Sequence, residues 1–176
     1  GTIPIEAALM AMNKAPGLDR EFDCQERPIV PKKIWYSALE EARSLIKPVT
    51  EKLIQGYDIN PEAVSMANYH ARQAGVSEAV HFQVRDVKDI SSKAKYGFII
   101  TNPPYGQRLG EKKESALLYQ TMGESFKRLP TWSYYIMNSD PEFEKAFGRK
   151  ADKNRKLYNG GLLSYYYQYF GPKPEK

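Results

Sequence analysis

Short apolar runs alternate along this chain with longer stretches whose apolar residues recur at helical spacing. Residues 3–12 carry alanine and aliphatic side chains on nearly all sides, which predicts a buried helix, with Pro4 in the first turn where its missing N–H costs nothing. Residues 15–34 hold Pro16, Gly17, Pro28 and Pro31 among mixed charges and read as an irregular excursion. A helix over 35–46 follows, spaced by Trp35, Leu39, Ala42 and Ile46 and stopped before Pro48. Residues 53–57 read as a short strand leading to Asp58. Asn60 then caps a helix that opens on Pro61, carries Ala63, Val64, Ala67 and Ala71 as its stripe, and closes at Gly75.

The second half repeats the alternation. Strands are predicted over 80–84 and 96–101, with Phe98, Ile99 and Ile100 reading as buried. A helix over 116–129 places Leu117, Leu118, Met122, Phe126 and Leu129 on one side. A strand over 132–137 comes next, then a short helix to Phe147 started by Asp140-Pro141 with Asp140 as cap. Segments 153–158 and 162–170 flank Asn159-Gly160-Gly161, a strong hairpin turn signal. Strands alternating with helices, closed by a hairpin, predict an α/β layered fold with a mostly parallel sheet and a C-terminal antiparallel hairpin.

Composition narrows the class. The 176 residues suit one domain with a sizeable core, and 41% hydrophobic with 27% charged residues suits a soluble globular protein. No run approaches the roughly 18 apolar residues of a membrane helix, and the start lacks a basic segment followed by an apolar one. A cytoplasmic protein with no membrane partner is expected. The single cysteine, Cys24, allows no internal disulfide and gives no metal cluster, so no metal is expected. The net charge of +5 permits a polyanionic partner without demanding one. Lys145, Arg149, Lys150, Lys153, Arg155 and Lys156 lie close together, opposed by Asp152 alone, and suit either phosphate contact or plain solvation. Lys112 and Lys113 sit between Glu111 and Glu114 and read as solvated.

The most informative chemistry follows the strand over 96–101. It runs into Asn102-Pro103-Pro104-Tyr105, where two prolines end the strand and fix the backbone. An amide beside a fixed aromatic ring suits a flat, amine-bearing ring: the amide oxygen and a carbonyl accept from the amine while the tyrosine face stacks. This tetrapeptide resembles the motif of S-adenosylmethionine-dependent methyltransferases that modify exocyclic amines. In open α/β sheets, ligands bind beyond the carboxyl ends of the strands. Asp58 stands at one such end, suited to ribose hydroxyls. Asp86 stands at another, suited to an adenine amine, with Asp89 near enough to compete. Gly1 and Thr2 open the first helix, whose dipole favours the carboxylate of the cofactor's methionine moiety. His70 and His81 read as a helix and a strand residue without a catalytic part, and Tyr165-Tyr166-Tyr167 as packing.

Longer segments extend the likeness: 1–11, 15–20, 56–61, 101–109 and 158–163. Together they resemble the C-terminal catalytic domain of the THUMP-associated RNA methyltransferases of the RlmL-like type, whose members are also labelled N6-adenine-specific DNA methylases. The resemblance spans essentially all of 1–176. It implies a Rossmann-like methyltransferase fold, S-adenosyl-L-methionine as cofactor, large-subunit ribosomal RNA as partner, and guanine N2 as methyl acceptor. It also implies an incomplete N-terminus, with a truncated first strand, most of the cofactor loop and a THUMP region upstream of Gly1. By the resemblance, Asn102, Pro103, Pro104 and Tyr105 are catalytic, and Gly1, Thr2, Asp58, Asp86 and Asn102 hold the cofactor. Arg108 suits a phosphate, a base or the surface. An adenine-N6 DNA methyltransferase shares the same tetrapeptide logic. A catalytically silent RNA-binding module fits the shortened cofactor loop and the basic cluster.

Overall fold

The computed structural model describes residues 1–27, 30–49, 54–105, 109–159 and 161–174. The chain forms two compact units, Gly1–Val84 and Arg85–Lys176.

The first unit joins helix α1 (Thr2–Ala11), a 3-10 turn (Asp23–Glu26), helix α2 (Lys32–Ser44), strand β1 (Ile54–Asp58), helix α3 (Pro61–Gln73) and strand β2 (Val80–Val84). β1 and β2 pair in parallel, from Ile54 opposite Val80 to Asp58 opposite Val84. Their helical connection starts as the sequence indicates: Asn60 Oδ1 accepts from Glu62 N at 2.8 Å, and Pro61 opens the first turn. Gly75 ends it with φ +71°. Ile5, Ala8, Val64, Ala67, Ala71, Val80 and Phe82 share one core. Small residues let these elements close up. A Cβ on Gly1 would stand 2.7 Å from Ala67 Cβ, and one on Gly56 would meet Phe82 and Pro4.

Helix α1 corrects one expectation. It is buried along one face, at Ile5 and Ala8, while Met10 is 79% exposed. An alanine-rich helix has no polar side to mark its outside, so composition reads as burial all round. Helix α2 buries no residue. It is held by Phe22 edge-on to Trp35 and by Asn13 Nδ2 donating to Leu45 O at 3.1 Å.

The second unit joins a 3-10 turn (Val87–Asp89), strand β3 (Phe98–Thr101), helix α4 (Leu109–Phe126), strand β4 (Ser133–Asn138), helix α5 (Phe143–Phe147), strand β5 (Lys153–Asn159) and strand β6 (Leu162–Tyr169). The sheet order is β3-β4-β6-β5. β3 and β4 are parallel; β4 with β6 and β6 with β5 are antiparallel. Parallel pairing thus runs through the first strands, and the hairpin closes the sheet in the opposite sense. Ile99, Tyr134, Ile136, Tyr167 and Tyr169 pack against Tyr119, Met122 and Phe126 of α4 and Phe143 and Phe147 of α5. Tyr134 Oη lies within hydrogen-bond distance of Phe126 O and Leu129 O, at 2.6 and 2.8 Å, so its proton serves carbonyls left open at the end of α4.

Three expectations change here. β3 is buried on one side only: Ile99 is buried, but Phe98 is 66% exposed. Apolar residues on both faces of a strand suggest double cover, yet in this unit α4 and α5 pack on the Ile99 side. The stripe of α4 runs through Ser115, Tyr119, Met122 and Phe126, while Leu117 is exposed. The helix also begins at Leu109, because its polar first turns favour helix without showing an apolar stripe. Asp140 does not cap α5. Glu142 holds that position without a side-chain bond, and Asp140 Oδ1 accepts from Glu142 N at 2.9 Å in the preceding turn. Asn138 Oδ1 accepts from Asp140 N at 2.7 Å in the same way, so two linked side-chain turns precede the helix.

Candidate active site

β3 ends at Thr101, and Asn102-Pro103-Pro104-Tyr105 follows with no regular backbone structure. Pro103 is buried, Asn102 and Pro104 are exposed, and Tyr105 is half-buried. Tyr105 Oη donates to Asn102 Oδ1. Burial holds the Tyr105 phenol above its ordinary pKa, opposed by that same hydrogen bond. The phenol therefore stays protonated at neutral pH and remains a donor. One lone pair of the Asn102 amide oxygen is used in this way, and a second is left. The Pro104 carbonyl accepts from Tyr119 Oη at 2.8 Å. No donor among the described residues reaches the Pro103 carbonyl. The corner thus offers two acceptors close in sequence, Asn102 Oδ1 and Pro103 O.

Asp86 lies in the same unit and caps the turn Val87–Asp89. Its Oδ1 accepts from Lys88 N at 3.0 Å and its Oδ2 pairs with Lys88 Nζ at 3.2 Å. These bonds, the backbone one foremost, hold its carboxyl below the usual range. The carboxylate is charged but already partnered. Asp89, the competitor from the sequence, belongs to the turn itself.

The other expected residues belong to the first unit. Asp58 is the last residue of β1, and its Oδ1 accepts from Asn60 N at 2.9 Å. Among the described residues, Oδ2 of Asp58 accepts from none, which suits a ribose hydroxyl. Gly1 stands at the N-cap of α1 with no side-chain cap, and Thr2 is exposed, so the first amides of the helix remain open to an anion. Arg108 lies outside the described residues.

Sequence reasoning passed over Tyr119 and Asn138. Both are 0% exposed; Tyr119 lies in α4 and Asn138 ends β4, with its side chain close to the Tyr119 phenol. A tyrosine inside an apolar stripe was the available signal, since a buried hydroxyl needs a partner. Of the basic cluster, Arg149 pairs with Asp152 at 2.9 Å and Lys145 with Glu142 at 3.4 Å. Lys150, Lys153, Arg155 and Lys156 are exposed. Tyr167 is buried with Tyr165 half-buried beside it, as packing requires. Among the described residues, no helix is long and apolar enough to cross a membrane, and no three His, Cys, Asp or Glu side chains group to hold a metal ion.

Known proteins resemble this chain. A Bacillus subtilis (strain 168) protein, provisionally named RNA methyltransferase YpsC, is 42% identical over 97% of this chain. Ribosomal RNA large subunit methyltransferase K/L of Shewanella frigidimarina (strain NCIMB 400) is 40% identical over 92% of it. The crystal structure of SMU.472, provisionally described as a methyltransferase and solved with SAH, superposes with a TM-score of 0.94 at 39% identity, over 99% of this chain and 46% of that one. The chain spans 44% of the Bacillus protein and 24% of the Shewanella one. Residues 1–167 match the family model described as RMKL-like, methyltransferase domain. The chain belongs to that RMKL-like methyltransferase-domain family and has its α/β, Rossmann-like fold.

Proposed function

We propose that the protein carrying this chain methylates guanine N2 in ribosomal RNA, with S-adenosyl-L-methionine as methyl donor. One observation supports the reading: among the described residues, the corner after β3 leaves Asn102 Oδ1 and Pro103 O as acceptors in the same four residues as the Tyr105 ring. Two acceptors fit the two protons of an exocyclic amine. Holding both protons aims the nitrogen lone pair away from them, which is the alignment a direct transfer needs. Tyr105 supplies a ring for an extruded base. When bound, S-adenosylmethionine supplies the electrophilic methyl carbon, so no covalent enzyme intermediate is required.

Residues of each unit, taken separately, suit parts of that cofactor. Asp58 keeps Oδ2 open for ribose hydroxyls, and the first amides of α1 at Gly1 and Thr2 suit a carboxylate. Asp86 is less free, since Lys88 engages both of its oxygens; it reaches an adenine amine only through a remaining lone pair. RNA as substrate is supported by the names of the relatives and by the exposed Lys150, Lys153, Arg155 and Lys156, which suit phosphates.

The test uses the full-length protein, methyl-labelled S-adenosylmethionine, and ribosomal RNA or duplex DNA as acceptor. Label in the RNA is expected. Label in DNA alone overturns the reading in favour of an adenine-type DNA methylase. RNA binding with neither cofactor binding nor transfer makes the protein a silent RNA-binding module.

A further inference from the structure

Among the described residues, one side-chain hydrogen bond from outside ties the tetrapeptide after β3 to its unit. Among the described residues, Tyr119 is the side chain outside Asn102-Pro103-Pro104-Tyr105 that hydrogen-bonds to it, with Oη donating to Pro104 O at 2.8 Å. Prolines bring no N–H, so Pro103 and Pro104 cannot anchor themselves by donating. Tyr119 is itself fixed. It is 0% exposed and its ring stands edge-on to Phe143, with centroids 5.0 Å apart. Ser115, one turn earlier on α4, is buried as well.

A second observation concerns the end of β4. Asn138, at the end of β4, is 0% exposed, and its Nδ2 has no hydrogen-bond partner although Oδ1 accepts from Asp140 N. Ser115 and Asn138 both lie beside the Tyr119 phenol and lower its pKa, against the larger upward push of burial. The phenol therefore remains a donor at neutral pH, with the Asn138 side chain close to its oxygen. The Pro104 carbonyl is held by Tyr119 while the preceding Pro103 carbonyl has no described donor, and that difference marks which of the two is left for a ligand.

We propose that Tyr119 is a positioning residue for methyl transfer: it pins the Pro104 carbonyl to α4, which sets the backbone so that Pro103 O and Asn102 Oδ1 face the incoming amine. Tyr119 touches neither the cofactor nor the target base. This inference rests on the proposed exocyclic-amine chemistry of the same corner. A site built this way loses turnover when the latch is cut, while cofactor affinity does not change.

Tyr119→Phe in the full-length protein keeps the ring and its contact with Phe143 and removes only the hydroxyl. A three- to tenfold fall in kcat is expected, about the worth of one hydrogen bond, with KM for S-adenosylmethionine within about twofold of wild type. Hydrogen exchange at the Asn102 and Tyr105 amides should accelerate, a readout that needs no activity. Unchanged kcat and unchanged exchange would overturn the inference. So would equal losses of cofactor binding, turnover and thermal stability, because those mark a general packing role. Should Phe melt well below wild type, Asn138→Asp perturbs the same phenol from the end of β4, and its kcat must fall too. If wild type transfers no methyl group to any amine but Tyr119→Phe still frees the amides, the proposed function fails while the latch stands.

Discussion

Asn102 and Pro103 matter because, among the described residues, Asn102 Oδ1 keeps a second lone pair and no donor reaches Pro103 O. Asn102 is exposed, so its removal should leave the fold alone. Asn102→Ala is expected to lower kcat by about a hundredfold or more, the scale seen when one positioned hydrogen-bonding group at a developing charge is lost, with the thermal midpoint unchanged. Steady-state kinetics and a melting curve on the same preparation check both halves. Much of this site is legible in sequence because Asn102 to Tyr105 are contiguous and their prolines fix the geometry locally. Tyr119 and Asn138 were not legible. Their roles depend on α4 and β4 approaching the corner, and neither residue type announces that. The capture of both Asp86 oxygens by Lys88 was also invisible, since nothing in the spacing says a lysine will fold back.

At the scale of elements, helix starts with a strong local signal were readable: Asn60-Pro61 opens α3 and Gly75 ends it. Errors arose where one signal had two structural meanings. Asp140-Pro141 makes a turn before α5 instead of its first turn, and the apolar run of β3 covers a strand packed on one side. The contact between α4 and α5 is closer than sequence suggests. A Cβ on Gly123 would stand 2.1 Å from Phe147 O, a backbone atom that cannot swing away. Gly123→Ala should therefore destabilise, although alanine is the better helix former. A cost of about 1–3 kcal/mol is expected, seen as a fall of roughly 2–12 °C in the melting midpoint. A rise in the midpoint would show that the two helices are not packed this closely.

At the scale of the molecule, the α/β class followed from the alternation of elements, but the strand order did not. A hairpin signal makes β5 and β6 neighbours without saying which of them meets β4. The structure puts β6 inside and β5, with Lys153, Arg155 and Lys156, at the edge of the sheet. That suits their residues: an edge strand is protected from pairing by charge, and the tyrosines of β6 fill the core. The same tyrosines predict an alkaline limit. Burial, with the Glu144 charge adding to it, pushes Tyr167 up to about 12 and raises Tyr169 as well. A raised folded-state pKa gives stability that is complete below the unfolded value near 10 and is lost as pH climbs through the folded one. Roughly 2–3 kcal/mol should disappear between about pH 10 and pH 12 through Tyr167 alone. Tyrosinate absorbance and circular dichroism followed together should change in step over that window. Early, structure-free ionisation of all tyrosines would contradict the packing described for β6.

The central claim is that the corner after β3 presents an amine to a methyl donor. The most direct measurement is digestion of ribosomal RNA after reaction with the full-length protein, followed by mass spectrometry of the nucleosides. N2-methylguanosine that appears with wild type and vanishes with Asn102→Ala is the expected result. A methyl group on any atom other than an exocyclic amine, or N2-methylguanosine undiminished by Asn102→Ala, would contradict it.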